Sequence, residues 1–246
     1  MAAGYTSGAE PLTVVHQVCR EAVGPLGYGD GREVRSLATA IIGTGGIGSA
    51  IARQLARGGE DVRLASADAA SARALAAGIG PAVVVASDNR DAVQGADAVV
   101  LALRFPVLHS VIDEIADAVA DLPVVVPSNP VGIDDHGQLV RLLPPGQSSG
   151  DVVAGWLPPG APLAMAFGTM SAELLESSSH RTPEAAVLFY VTDDDRAGRE
   201  VERLIRTAGF EPTKVGGLSQ SSRLEVGGDL HEVVVGSAEA RSLAGI

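Results

Sequence analysis

The sequence predicts an α/β fold in which helices cover both faces of a mostly parallel, doubly wound sheet. Short apolar runs alternate with segments of helical spacing from residue 37 onward. Such β-α-β alternation is typical of parallel sheets with right-handed crossovers. Apolar residues make up 46% of the 246 residues and aromatic residues only 3%. A core of Ala, Val, Leu and Ile is therefore expected, as in sheets that are buried on both faces.

The first half of the chain alternates most regularly. Strands are predicted over 37–42, 61–66, 82–86, 98–103 and 124–126. Helices are predicted over 47–57, from the second strand to 77, over 91–93 and over 107–120. The last of these has apolar residues at helical spacing, at Leu108, Val111, Ile112, Ile115 and Val119.

The second half is less regular. Strands are predicted over 163–167, 186–191 and 211–215, a helix over 194–208 and a helical segment over 218–225. Asp193 or Asp194 would cap the 194–208 helix and Gly209 would end it. The Pro-, Gly- and Ser-rich stretch 144–160 is the best candidate boundary. We therefore predict an N-terminal helical extension (1–35), a dinucleotide-binding domain (36–155) and a small C-terminal α/β part for substrate binding or dimerisation (156–246).

A glycine turn follows the first predicted strand. Gly43, Gly45 and Gly48 fit the pattern G-x-G-x-x-G, with a buried strand before it and a helix after it. The first glycine allows a tight turn, the second lets a pyrophosphate approach the backbone, and the third lets helix and strand pack closely. Free N–H groups at the start of the helix favour phosphate. The motif predicts a Rossmann dinucleotide site; the alternative is an ordinary tight strand–helix turn.

Ligands of open α/β sheets bind beyond the carboxyl ends of the strands. The loops expected there are 43–48, 66–68, 104–106, 128–130 and 168–170. Asp68 could hold a ribose hydroxyl or cap the next helix, and the sequence leaves both open. Ser66 could bind a ribose or a phosphate, and Asn129 is expected near the cofactor.

Charge and composition exclude several functions. The formal net charge of −12, without a cluster of basic residues, argues against nucleic acid or an anionic membrane as partner. The histidines lack paired ligand spacing and Cys19 is the only cysteine, so no metal site is expected.

The segment 229–232 could be an acid/base cluster, although a solvated helix end is the simpler interpretation. Neither a secretory signal nor a membrane span is predicted, so a cytoplasmic setting is expected.

Several motifs together resemble the coenzyme F-420-dependent NADP oxidoreductases. They are the glycine turn, Ser128-Asn129-Pro130, Ala166-Phe167-Gly168-Thr169, Arg181-Thr182-Pro183-Glu184, and the segments 209–212, 217–219 and 222–225, in family order. The resemblance implies a Rossmann-fold homodimer that moves a hydride between NADP or NAD and a deazaflavin co-substrate. Such a transfer requires alignment of two rings in a dry cleft more than a nucleophile or a metal.

The resemblance also implies roles for residues of the loops. Thr44, Gly45, Gly46 and Ile47 would surround the pyrophosphate, and Ser66 would approach the adenosine ribose. Phe105 and Pro106 would border the cofactor. Gly168, Thr169 and Met170 would lie where nicotinamide and deazaflavin meet. No residue is assigned a catalytic role.

The chain departs from the family pattern after the second strand. Family members often have Ser-Arg there, and this chain has Ser66-Ala67. Without that arginine a likely ligand of the 2′-phosphate is missing, so weak or reversed preference for NADP over NAD is expected. Two alternatives remain: a reductase of a carbonyl or imine metabolite with His231 as proton donor, and a nucleotide-binding protein without redox turnover.

Overall fold

The computed structural model describes Met1 and residues 37–245, so the predicted N-terminal extension and Cys19 lie outside the described residues. Ten strands are present in residues 37–245: β1 Ala38–Ile42, β2 Asp61–Ala65, β3 Val83–Val85, β4 Ala98–Leu101, β5 Val124–Val126, β6 Val131–Ile133, β7 Leu139–Arg141, β8 Leu163–Ala166, β9 Val187–Thr192 and β10 Glu211–Gly216. The helices are α1 Gly46–Arg57, α2 Ala69–Ile79, α3 Asn89–Val93, α4 Phe105–Val119, α5 Ser149–Trp156, α6 Ala172–Ser178, α7 Asp195–Thr207 and α8 Ser237–Ala244, with a 3-10 helix over Leu218–Arg223.

Eight of the strands form one sheet in the order β10-β9-β8-β5-β4-β1-β2-β3. All neighbouring pairs are parallel except β8 and β9, which are antiparallel. The predicted α/β class with a mostly parallel, doubly wound sheet is therefore confirmed. The order reverses at β1, which pairs with β2 on one side and with β4 on the other. Because of this reversal, the loops after β1 and β4 diverge and leave a crevice between them. Open sheets of this class bind ligands in that crevice.

The sheet continues across the predicted division at residue 156. β8, from the C-terminal part, pairs with β5, with Val125 opposite Ala164. The stretch 144–160, interpreted as a boundary, contains α5, whose first turn is capped by the Ser148 side chain. The division into functional parts stays a prediction, but both parts supply strands to the same sheet.

Helix caps follow the sequence closely. Asp194 caps α7, because its side chain accepts hydrogen bonds from the N–H groups of Arg196 and Ala197. Asp194 rather than Asp193 is therefore the cap. No helix among the described residues is long and apolar enough to cross a membrane.

The hairpin of β6 and β7 is an element that the sequence analysis missed. It follows β5 directly and forms a separate two-stranded antiparallel sheet. Its turn is held by the Asp134 side chain, which accepts hydrogen bonds from the N–H groups of His136 and Gln138. Each strand has only three residues, too few for an alternating pattern to be recognised.

Candidate functional site

The three glycines of the turn occupy different surroundings. Gly43 has φ +108°, and a Cβ there would lie 2.2 Å from the carbonyl oxygen of Ala102. A Cβ on Gly48 would lie 2.1 Å from the carbonyl oxygen of Gly43. A Cβ on Gly45 would meet nothing within 4 Å. The outer glycines thus permit close packing of backbone on backbone, whereas the middle one leaves space open in front of the helix.

The start of α1 faces that space. Gly45 is the N-cap and supplies no side-chain hydrogen bond to the first turn. Gly45 and Gly46 are both exposed, and the first turn carries no acidic residue. The Ser49 hydroxyl donates to the carbonyl oxygen of Thr44 and fixes the turn. Unsatisfied N–H groups and the positive end of the helix dipole suit a phosphate here.

The loop after β2 lies beside this turn. The Thr44 hydroxyl donates to the Ser66 hydroxyl oxygen at 2.9 Å, so the two predicted nucleotide contacts are adjacent. Asp68 caps α2, because its Oδ1 accepts from the N–H groups of Ala70 and Ser71. Of the two interpretations of Asp68, the structure shows the cap, and the residue is exposed; its contact with a ribose stays a prediction.

A cleft of about 660 Å³ opens in front of the glycine turn, within the usual size range of small-ligand sites. It is lined by Gly45, Gly46, Ile47, Ala102, Leu103, Arg104, Phe105, Pro106, Pro127, Ser128, Asn129, Val131, Gly132, Ile133, Leu139 and Leu142. The cleft therefore lies between the loops after β1, β4 and β5, with the β6–β7 hairpin as a further wall. Of the predicted cofactor residues, Gly45, Gly46, Ile47, Phe105, Pro106 and Asn129 line it.

Asn129 joins three segments of the chain. Its Nδ2 donates to the carbonyl oxygen of Gly168 at 2.9 Å, and its Oδ1 accepts from the N–H of Val226 at 2.8 Å. Both ends of the amide are thus used within the protein. The neighbouring Ser128 hydroxyl donates to the carbonyl oxygen of Leu103. These side chains hold the cleft wall in position, and neither has the environment of a nucleophile.

Gly168, Thr169 and Met170 do not line the cleft. A Cβ on Gly168 would lie 2.2 Å from the carbonyl oxygen of Pro127. Thr169 and Met170 are only 1% and 2% exposed, and Met170 packs into the apolar core. The predicted position of these three residues next to the reacting rings stays a prediction, and the side chains of Thr169 and Met170 are buried away from the cleft.

The predicted ligand loops 128–130 and 168–170 meet the 3-10 helix over Leu218–Arg223 and leave little space between them. Ser128, Gly168 and Ser221 line a cavity of only about 20 Å³, room for roughly one water molecule. Glu225 also lines it and is buried. Burial alone would raise the pKa of Glu225, but hydrogen bonds from Ser149 and Arg141 outweigh burial and hold this pKa below its ordinary value.

The cleft offers little acid/base chemistry. Arg104 is the one ionisable side chain among the described residues that line it. His231 lies outside the lining, and Asp229 forms an ion pair with Arg223 at 2.7 Å. Within residues 37–245, no group of three His, Cys, Asp or Glu side chains is arranged to hold a metal ion.

Residues 38–130 match the family described as NADP oxidoreductase, coenzyme F-420-dependent. A hypothetical protein of Sinorhizobium meliloti has a similar structure, with TM-score 0.70 and 26% identity over 82% of this chain and 96% of that chain. A proposed F-420-dependent NADP reductase of Arthrobacter sp. has TM-score 0.63 and 22% identity over 74% and 86% of the two chains. A reductive aminase of Aspergillus terreus has TM-score 0.54 and 15% identity over 78% and 60%. Comparison with curated proteins finds no match.

The family match includes the glycine turn, the loop after β4 and Ser128-Asn129-Pro130. The resemblance inferred from the motifs is therefore confirmed over that segment. The structural neighbours below 25% identity share the fold, and the open space before Gly45 suits a dinucleotide pyrophosphate. The chain is thus an NAD(P)-dependent oxidoreductase of Rossmann-like fold whose residues 38–130 match the F-420-dependent family.

Proposed function

We propose that this protein transfers a hydride between a nicotinamide dinucleotide and a deazaflavin acceptor of the coenzyme F-420 type. The observation that carries the proposal is the lining of the cleft, which is mostly apolar and which, among the described residues, includes no carboxylate and no imidazole. A nicotinamide supplies the hydride at C4 and a deazaflavin accepts it at C5, with a proton exchanged with water. Such a reaction requires two rings held in contact more than it requires a general acid.

The residues of the cleft suit that task. The N–H groups at the start of α1 would bind the pyrophosphate, and Phe105 and Pro106 would border the nicotinamide half. Phe105 is held by packing on Trp156, with ring centroids 5.3 Å apart. Asn129 fixes the opposite loop through both ends of its amide. A wall that is held in this way can keep two rings aligned without rearranging during the reaction.

The decisive experiment mixes the full-length protein with NADPH or NADH and oxidised coenzyme F-420. We expect the absorbance bands of the deazaflavin and of the reduced nicotinamide to fall together. A protein that binds the nucleotide but leaves the deazaflavin oxidised would contradict the proposal. Reduction of a ketone or cyclic imine in the same assay would favour the alternative reductase, and binding with no turnover on any acceptor would favour a non-redox role.

We also propose a homodimer in the cytoplasm acting on a small-molecule substrate, on the strength of the family resemblance. Light scattering during size-exclusion chromatography tests the assembly. A mass equal to one chain at micromolar concentration would contradict the dimer.

A further inference from the structure

Arg104 is a cation in the cleft lining that has no carboxylate partner within residues 37–245. It precedes α4, is exposed and lines the cleft. It forms no hydrogen bond through its side chain and no ion pair with any described residue. The chain as a whole carries 30 acidic and 18 basic residues, so its overall field repels anions. An arginine left without a carboxylate in such a protein is available for an anion that enters the cleft.

The wall formed by the hairpin is apolar and open. Ile133, Leu139 and Leu142 line the cleft and are 67%, 57% and 43% exposed. Large aliphatic side chains grouped at one exposed site commonly mark a binding surface. The hairpin is also tied down, since Arg141 at the end of β7 forms an ion pair with the buried Glu225. A fixed apolar surface of this kind suits the face of a flat ring.

Neither feature is required to bind the pyrophosphate, for which the start of α1 suffices. We propose that the second substrate is a flat aromatic ring that carries an anionic group, and that Arg104 and the hairpin wall select it. This inference rests on the proposed function, because it concerns the acceptor in the same cleft. The ring would lie against Ile133 and Leu139, and the guanidinium of Arg104 would pair with the anion in a charge-assisted hydrogen bond.

Two dyes test the inference without any turnover. Anilinonaphthalene sulfonate is an aromatic anion, and phenylnaphthylamine has a similar ring system without the charge. Both fluoresce when they leave water. We expect Arg104→Gln to raise the Kd of the sulfonate about tenfold and to leave the Kd of phenylnaphthylamine unchanged, because only the charged contact is lost. Ile133→Ser should weaken both dyes.

Arg90→Gln is the matched control. Arg90 is also exposed and also without a partner among the described residues, but it does not line the cleft. This variant should bind both dyes like the parent, and Arg104→Lys should recover part of the sulfonate affinity. Equal effects of Arg104→Gln on the two dyes would overturn the inference. So would a loss of NADPH affinity as large as the loss for the sulfonate, because Arg104 would then belong to the dinucleotide site.

The result with coenzyme F-420 separates this inference from the proposed function. If the deazaflavin is reduced, Arg104→Gln should raise its KM about tenfold and leave kcat unchanged, since the acceptor's anionic tail is bound and not chemically altered. If the deazaflavin is not reduced, the proposed function fails while the dye results still decide whether the cleft selects aromatic anions.

Discussion

At the scale of single residues, the three glycines of the turn differ in what a side chain would do. At Gly43 and Gly48 a Cβ would overlap a carbonyl oxygen, whereas at Gly45 it would project into the open cleft. A substitution at Gly48 therefore tests the fold, and one at Gly45 tests the ligand. This difference allows nucleotide binding to be separated from stability within one motif.

Gly45→Val should fold normally and bind dinucleotide poorly. Its φ of −67° is accessible to valine, and its side chain would occupy the space in front of α1. We expect the Kd for NADPH to rise at least tenfold, about 1.4 kcal/mol, with little change in Tm. Calorimetric titration measures the first and thermal unfolding the second. Gly48→Val is the comparison: it should lose stability. Unchanged NADPH affinity in folded Gly45→Val would refute the pyrophosphate site.

Cofactor preference depends on the loop after β2. Arg63, a candidate for reading a 2′-phosphate, is engaged with the carbonyl oxygens of Ala92 and Asp91 and with the Asp91 carboxylate. The exposed carboxylate of Asp68 would repel a 2′-phosphate. We expect weak or reversed discrimination for NADPH over NADH and a shift toward NADPH in Ala67→Arg, because a guanidinium binds phosphate in a fork. The ratio of kcat/KM for the two cofactors is the measurement.

A strong native preference for NADPH that Ala67→Arg leaves unchanged would mean that a different group reads the phosphate. Arg90 is then the next residue to substitute, since its side chain has no partner among the described residues. Ala70→Arg is a useful control, because it places the same charge on the exposed first turn of α2.

The close packing at Gly43 and Gly48 could be predicted from the sequence, because it follows from a tight turn between a strand and the next helix. The loop after β8 was harder to place. Nothing in its sequence shows that Thr169 and Met170 point into the core, because that depends on how β8 pairs with β5. The contact of Gly168 with Pro127 is equally non-local. A bulky residue at 168 would therefore test packing and not substrate binding.

At the scale of elements, the β6–β7 hairpin forms one wall of the cleft, and the ion pair of Arg141 with Glu225 helps to hold it in place. Glu225 accepts hydrogen bonds from the N–H of Ser149 and the hydroxyl of Ser221 as well as from Arg141. The carboxylate thus connects the hairpin, α5 and the C-terminal segment. The sequence could not predict this connection, because Arg141 and Glu225 are 84 positions apart and the motif segment 222–225 gives no sign of which residue its glutamate contacts.

Arg141→Gln should destabilise the protein by about 2 kcal/mol, because it removes a hydrogen bond to a charged group and leaves a buried carboxylate without its cation. Urea unfolding measures the change. Arg206→Gln is the control, since Arg206 and Glu202 form an exposed pair that should contribute less than about 1 kcal/mol. Equal losses in the two variants would show that Glu225 does not depend on Arg141.

The same carboxylate predicts a dependence on pH. The folded-state pKa of Glu225 lies below its ordinary value of 4.5, so the ionised group stabilises the fold above pH 4.5. That contribution is lost as the pH falls below 4.5 through the folded-state pKa. Glu225→Gln should therefore lose less stability on acidification than the parent. Identical acid unfolding curves for the two proteins would contradict this assignment.

At the scale of the whole molecule, the sheet joins the two halves of residues 37–245. One apolar cluster contains Ile41, Val100 and Leu188, and the other contains Ile42, Val99 and Val187. Neighbouring residues of the same strands fall in different clusters, so the clusters lie on opposite faces of the sheet. Each cluster includes strands from before and after residue 156. The alternation of strands and helices made the sheet predictable, but not the antiparallel pairing of β8 with β9.

This arrangement predicts one cooperative unfolding transition for residues 37–245. Leu204 in α7 and Leu108 in α4 are both fully buried, in different clusters and different halves. Each Leu→Ala substitution should lower the free energy of unfolding by about 3 kcal/mol. Both substitutions should shift the same unfolding transition. Circular dichroism reports the whole fold, and fluorescence of the single tryptophan, Trp156, reports the packing of α5 on α4. Leu243→Ala, at a partly exposed site, is the control and should change little. Leu204→Ala could instead lower the unfolding midpoint measured by circular dichroism and leave the midpoint measured by Trp156 fluorescence unchanged. The two halves would then unfold separately, and the shared sheet would not couple them.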